Sequence, residues 1–304
     1  MTARPAPRAI PTERIEGVVD RLRRVPLVER SFCRTADYAR RQFRIDGPLL
    51  SRVLDAGLPH VRAGDELLLD DFDLLNLALF LRMRSPQRAA MRYWADVLTR
   101  PAGEERSYLI DYAPACPLPG HPGPCRFLCC LPGDEERVAE GPGDGVTPVV
   151  TVPVTLTNDW PDAPEPLVEL MAEIADVEFY RLPHRVKWDL DFMLSARIGD
   201  CLGFARYLVE HGARRGLPMR MAFGLIVAPP YSTPHYWAEV RLDGRWVPVD
   251  PGLVRGMAAW GALAEEWPAH RSPGALLVNL TTRHGLLVSH GGVHPPVSFR
   301  TRLG

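Results

Sequence analysis

Asp243-Gly244 separates two runs rich in β-branched and aromatic residues, Tyr236–Leu242 and Arg245–Val249. Asp-Gly between such runs is the strongest short-range hairpin signal, because a tight two-residue turn needs positive φ at both positions. Such a turn sets Leu242 opposite Arg245 and commits this part of the chain to antiparallel pairing. Other elements gather around it. Met219–Val227 reads as a strand, and Leu276–Ser289 is expected to add one or two more. Cys201–Arg215 reads as a helix through Leu202, Ala205, Leu208 and Val209, stopped by Gly216. Pro166–Leu182 is amphipathic, with Leu167, Leu170, Met171, Ile174 and Val177 on one face.

The first hundred residues read as helical. Ile15, Val18, Val19 and Leu22 fall at helical spacing, and Pro26 closes that segment. Glu66–Arg84 is apolar nearly all round, which predicts a buried helix. Ser85-Pro86 then gives an N-cap and a first-turn proline for a helix over Gln87–Thr99. From Pro101 to Gly145 the composition shifts to Pro, Gly and Cys, the mark of a linker or irregular insertion. Val146–Thr157 mixes β-branched residues with prolines and is expected to be an edge strand.

Charge and composition narrow the class. The 304 residues carry 36 Lys+Arg against 37 Asp+Glu, so nothing electrostatic favours nucleic acid or an anionic membrane as partner. Lys187 is the one lysine, and the arginines are scattered among matching acids. With 46% apolar and 24% charged residues, a disordered or fibrous chain is excluded. The first twenty residues lack an apolar h-region, and runs such as Leu74–Leu81 fall far short of the ~20 residues of a membrane helix. Six cysteines in a chain this long make no disulfide scaffold. The expected setting is the reducing cytoplasm.

Three residues carry the chemistry: Cys201, His235 and Asp250. Cys201 opens a predicted helix, where free N–H groups and the positive dipole end lower a thiol pKa. Asp200 beside it opposes this, unless its charge is taken up in capping the same helix. In the hairpin register His235 falls opposite Gly252, and Asp250 lies two positions away on the same face. Such diagonal neighbours are roughly 7–8 Å apart, within side-chain reach. A one-residue bulge would put the two on opposite faces. Taken singly, Cys201 is a buried structural cysteine, His235 a satisfied strand histidine and Asp250 a turn residue before Pro251.

Gly199-Asp200-Cys201, then Ala205, Arg215-Gly216-Leu217-Pro218-Met219-Arg220 and Gly224, resemble the nucleophile block of the transglutaminase-like superfamily. His235-Tyr236-Trp237-Ala238-Glu239-Val240 is similar to its histidine block, and Gly244-Arg245-Trp246-Val247-Pro248-Val249-Asp250-Pro251 to its aspartate block. The resemblance runs from about Gly199 to Pro251 and takes in the helix before it, and Met1 to about Asn158 has no counterpart. It implies a papain-like transglutaminase core at 158–304, which with the helical region at 1–100 and the connecting segment at 101–157 read above makes the expected fold class α+β. It also implies Cys201 as nucleophile, His235 as general base and acid, and Asp250 as the residue that orients the imidazole. The Cys201 N–H would be one oxyanion donor, with Trp188 and Trp160 as candidates for the second. Trp237 and Trp246 are assigned to core or pocket wall.

The implied chemistry is acyl transfer through a cysteine thioester, without a cofactor. The preferred reading is amide-bond formation in a biosynthetic pathway, as in the antibiotic-forming members. It joins a thioester donor, on an acyl or peptidyl carrier protein, to an amine. A cysteine peptidase or amidase is the alternative, and a non-catalytic binding protein on the same fold comes third. Cys116, His121, Cys125, Cys129 and Cys130 form a second cluster, for which zinc is the functional reading. Their spacing matches no paired knuckle, however, so a loop with incidental thiols is preferred and no metal is expected. His284, His290 and His294 are expected to be surface or loop residues.

Overall fold

The structure is a computed structural model and describes residues 10–83, 85–118, 120–121, 123–283 and 285–304. It mixes helices and strands throughout, an α+β fold. The N-terminal part holds α1 (Thr12–Arg23), α2 (Ala36–Phe43), α3 (Gly47–Asp55), α4 (Asp71–Phe80) and α5 (Pro86–Leu98). Ile15, Val18, Val19 and Leu22 of α1 are all buried, and Ser85 caps α5 by accepting the Arg88 N–H. Strands β1 (Phe32–Thr35), β2 (Val61–Ala63) and β3 (Glu66–Asp70) add a small antiparallel sheet in the order β1-β3-β2.

The helix expected over Glu66–Arg84 is therefore divided. Leu67, Leu68 and Leu69 lie in β3, because a continuous apolar run fits either period. Asp70 makes the break, its Oδ1 accepting the N–H groups of Phe72 at 2.8 Å and Asp73 at 3.1 Å to start α4. Arg84 lies outside the described residues.

The Pro/Gly/Cys-rich segment is not irregular either. It contains β4 (Glu105–Pro114), β5 (Cys125–Leu131) and β6 (Glu135–Gly141). Tyr108, Ile110 and Tyr112 alternate inward along β4, a period masked by the prolines and glycines of the flanking loops. β7 (Val150–Thr157) follows at a sheet edge, as expected, where Pro153 removes no needed donor.

The rest comprises α6 (Glu165–Ala172), β8 (Glu178–Phe179), α7 (Leu190–Ala196), β9 (Ile198–Gly199), α8 (Cys201–Arg214), β10 (Met219–Ile226), β11 (Tyr231–Leu242), β12 (Arg245–Val249), α9 (Pro251–Ala259), β13 (Leu277–Thr281), β14 (Val288–Ser289) and β15 (Val297–Leu303). Helix α6 covers only the first part of the amphipathic segment, although Leu167, Leu170, Met171, Ile174 and Val177 are all buried. The main sheet runs β13-β10-β11-β15-β4-β7, with β12 paired to β11. A second sheet runs β14-β5-β6.

Helix α8 packs on β10 and β11. One apolar core includes side chains of α1 and α3–α5 together with those of α6, α8, β11 and α9. Asn76 of α4 joins these parts by pairing with the backbone of Arg181 through both amide atoms, each at 2.9 Å. Phe80 stacks on Tyr180 at 4.4 Å beside that pair. Among the described residues no helix is long and apolar enough to cross a membrane.

Candidate active site

Cys201 is the first residue of α8, and Asp200 is its cap. The Asp200 Oδ1 accepts the N–H of Leu202 at 3.0 Å and of Gly203 at 3.4 Å. Burial, the largest influence, raises Asp200 to about 6, while Arg181, Lys187 and the two amides pull it down. The folded chain therefore keeps a proton that the unfolded chain releases between pH 3.8 and about 6. Stability from this group falls as pH rises through that window, and the loss is complete above it. Asp200→Asn retains the capping oxygen without the charge. Its melting temperature relative to wild type should rise across the same window, and a constant difference in parallel melts would refute the assignment.

The hairpin forms in the expected register, from Leu242↔Arg245 to Ala238↔Val249, with φ of 47° at Asp243 and 82° at Gly244. The ladder stops there. His235 therefore does not face Gly252 across a strand, because Pro251 and Gly252 already belong to α9. Asp250 leaves the sheet to cap that helix, its Oδ1 accepting the Leu253 N–H at 2.8 Å. Its Oδ2 meets His235 Nε2 at 2.5 Å, with both side chains buried. Gly252 lets α9 come this close, since a Cβ there would lie 2.5 Å from the Phe204 ring of α8.

With Nε2 engaged by Asp250, Nδ1 is the ring nitrogen left to serve the neighbouring Cys201, whose side chain helps hold charge on the imidazole. Burial is the largest influence on this imidazole and disfavours its charge, but Cys201 and Asp250 outweigh it and raise His235 to about 10. Phe179 and Trp237 flank the ring at centroid distances of 6.5 and 6.4 Å. Such an arrangement is chemically suited to moving a proton between sulfur and nitrogen in a water-poor setting.

A cavity of about 550 Å³ lies beyond Tyr236, walled also by Lys187, Trp188, Phe223, Leu286 and Phe299, with none of Cys201, His235 and Asp250 on its wall. Tyr236 is pushed up to about 12 by burial, then by the nearby Cys201 and Asp200. It stands in the quoted histidine block, yet sequence reasoning gave it no role. Its alternation with His235 along a strand places it on the cavity side and was the available signal. Trp160 is not at the site, because its Nε1 donates to Thr157 O at 2.8 Å and its ring abuts Gly274. Trp188 remains beside the cavity. Trp237 is buried core, and Trp246 lies under the Arg220 guanidinium at 4.1 Å.

His294 borders the cavity from a loop, and His284 lies outside the described residues. His290 also sits in a loop, but half-buried beside Cys116, His121 and Cys125.

No curated protein matches the chain. Residues 161–251, a span that includes Cys201, His235 and Asp250, match the family model described as the transglutaminase-like superfamily. This chain thus carries a transglutaminase-like domain, of a papain-like superfamily whose members are in general enzymes with a cysteine nucleophile.

Proposed function

We propose that the protein forms amide bonds by acyl transfer through Cys201, from a carrier-bound thioester to an amine. The Cys201 thiol passes its proton to His235 as its sulfur attacks the thioester carbonyl, a new C–Sγ bond forms, and the donor C–S bond breaks. His235 gives that proton to the departing thiolate, which leaves as the thiol. The amine then attacks the acyl-enzyme, its proton passes to His235, and the C–Sγ bond breaks to release the amide. Asp250 holds the imidazole through Nε2 in both halves.

A second cavity supports a thioester donor in particular. It measures about 90 Å³ and lies between α4, α5 and His235. Trp94 Nε1, Trp260 Nε1 and Gln87 Oε1 are buried at its wall without hydrogen-bond partners among the described residues. Two N–H donors and one carbonyl acceptor suit a single amide near the thioester end of a pantetheine arm, which is as much of the arm as this volume holds. Arg88 and Arg92 stand on the same α5, with Arg14 and Arg82 nearby. Burial, followed by repulsion from Arg82, Arg92 and Arg14, lowers Arg88. This basic cluster suits an acidic carrier.

Intact-mass analysis after mixing with an acyl-pantetheine thioester tests the reading. Cys201 should gain the acyl group, and amines should discharge it faster than water does. Absence of acylation together with cleavage of simple amides would favour the hydrolase. Arg82→Glu and Arg92→Glu should slow acylation by a carrier-bound donor in a salt-dependent way and leave a free pantetheine thioester unaffected.

The His235 shift gives a pH prediction. Its folded value lies above the ordinary 6.5, so its stabilising contribution is full below 6.5 and lost as pH rises through about 10. Acylation should therefore persist through neutral pH and decline near 10. A decline near 7 in the pH profile would contradict a paired imidazolium.

A further inference from the structure

Away from the active site, Cys116, His121, Cys125 and His290 converge from four places in the chain. Cys116 lies just past β4, His121 in the connection to β5, Cys125 at the start of β5, and His290 just past β14. One side-chain donor atom from each lies within 4.8 Å of all the others. His121 Nε2 is 3.3 Å from the sulfur of Cys116 and 3.3 Å from that of Cys125. His290 donates from Nδ1 to the Arg126 carbonyl at 2.8 Å, a bond that fixes its ring and keeps Nε2 as the lone-pair nitrogen. A backbone carbonyl on the far nitrogen is the usual way to orient a metal-bound histidine.

The backbone is shaped around the sulfurs. Gly143 has φ +66°, and a Cβ there would lie 2.6 Å from Cys125 Sγ and 2.9 Å from Cys116 Cβ. Its carbonyl accepts the Cys116 N–H at 2.8 Å. Any other residue at 143 would open the cluster.

We propose that Cys116, His121, Cys125 and His290 bind a zinc ion in a closed, structural Cys₂His₂ site. Bonds of about 2.3 Å to sulfur and 2.0–2.1 Å to nitrogen set tetrahedral nitrogen and sulfur ligands about 3.5 Å apart, so the 3.3 Å contacts of His121 open slightly and any wider pair, none beyond 4.8 Å, draws in. Two soft thiolates and two imidazoles in a tetrahedron favour zinc over magnesium or calcium, which prefer oxygen. Binding displaces two thiol protons, so two thiolates balance the dication. Four protein ligands leave no open position for catalysis.

The location gives the ion a purpose. It ties β4 of the main sheet to β5 and β14 of the small one. The segment carrying His290 also supplies Leu286, Leu287, Val297 and Phe299 to the wall of the 550 Å³ cavity. Zinc would hold that wall in place.

Metal analysis of the reduced, zinc-reconstituted and desalted full-length protein tests the proposal. The wild type should retain about one zinc per chain. Cys201→Ala and Cys129→Ser/Cys130→Ser should retain as much, which separates the site from the catalytic sulfur and from the neighbouring thiols. Cys116→Ser/Cys125→Ser should lose the metal, and His290→Gln should bind it more weakly in a chelator competition. Cobalt-loaded wild type should show tetrahedral d–d bands and a thiolate charge-transfer band, a readout that needs no variant to fold. A reduced wild type that retains no zinc, or zinc content unchanged by the double serine variant, overturns the proposal. So does an octahedral, thiolate-free cobalt spectrum.

Discussion

Cys201→Ala should lower single-turnover acylation by at least about a thousandfold while leaving the circular-dichroism spectrum and melting temperature close to wild type. The substitution removes one sulfur atom and places the best helix former at the first position of α8. The Asp200 cap bonds to Leu202 and Gly203, so it survives. Activity within tenfold of wild type would require another nucleophile and would end the assignment of Cys201. No nearby cysteine offers a substitute, since Cys33 is exposed in the N-terminal part and Cys116, Cys125, Cys129 and Cys130 lie in or beside the small sheet.

Asp250→Ala should reduce kcat by roughly 10²- to 10⁴-fold with little change in KM, because the imidazole loses the partner that sets its orientation and stabilises its charge. The same change removes the α9 cap, which costs about 1 kcal/mol and lowers the melting temperature by about 2 °C. Asp250→Asn separates the two duties. Its Oδ1 still accepts the Leu253 N–H, so it should melt above Asp250→Ala and below wild type by what the lost charge gave to the His235 imidazolium, whereas kcat should remain strongly reduced. Steady-state kinetics and thermal melts on both variants provide the check. If Asp250→Asn retains the wild-type rate, the carboxylate serves only the helix.

The hairpin was legible because Asp243-Gly244 is a local signal with one favoured geometry, and its register was correct residue by residue. The pairing of His235 with Asp250 was legible too, but by a different route. The sequence pattern extended the strand through Gly252, whereas Pro251 at the first turn and Asp250 as cap are equally a helix-start signature. Glu66–Asp70 was misread because three consecutive leucines carry no period. The strands β4–β6 were hidden by loop composition, although Tyr108, Ile110 and Tyr112 alternate. His290 shows the limit most plainly. Nothing near it in sequence links it to Cys125, and only the pairing of β14 with β5 brings the two together.

The Asn76–Arg181 pair and the Phe80–Tyr180 stack bear on inheritance as well as on structure. Residues 178 and 179 pair with 198 and 199, and Asp200 alone separates that pairing from the cysteine. Hydrogen bonds thus lead from the Asn76 side chain to Arg181 and from the Tyr180 N–H to the Gly199 carbonyl at 2.8 Å, two residues before Cys201. The first hundred residues are then poor material for shuffling onto another catalytic half, since each side has been fitted to the other's surface. Drift in one should be answered by drift in the other, and chimeras cut near residue 158 should lose activity even when both parents are active.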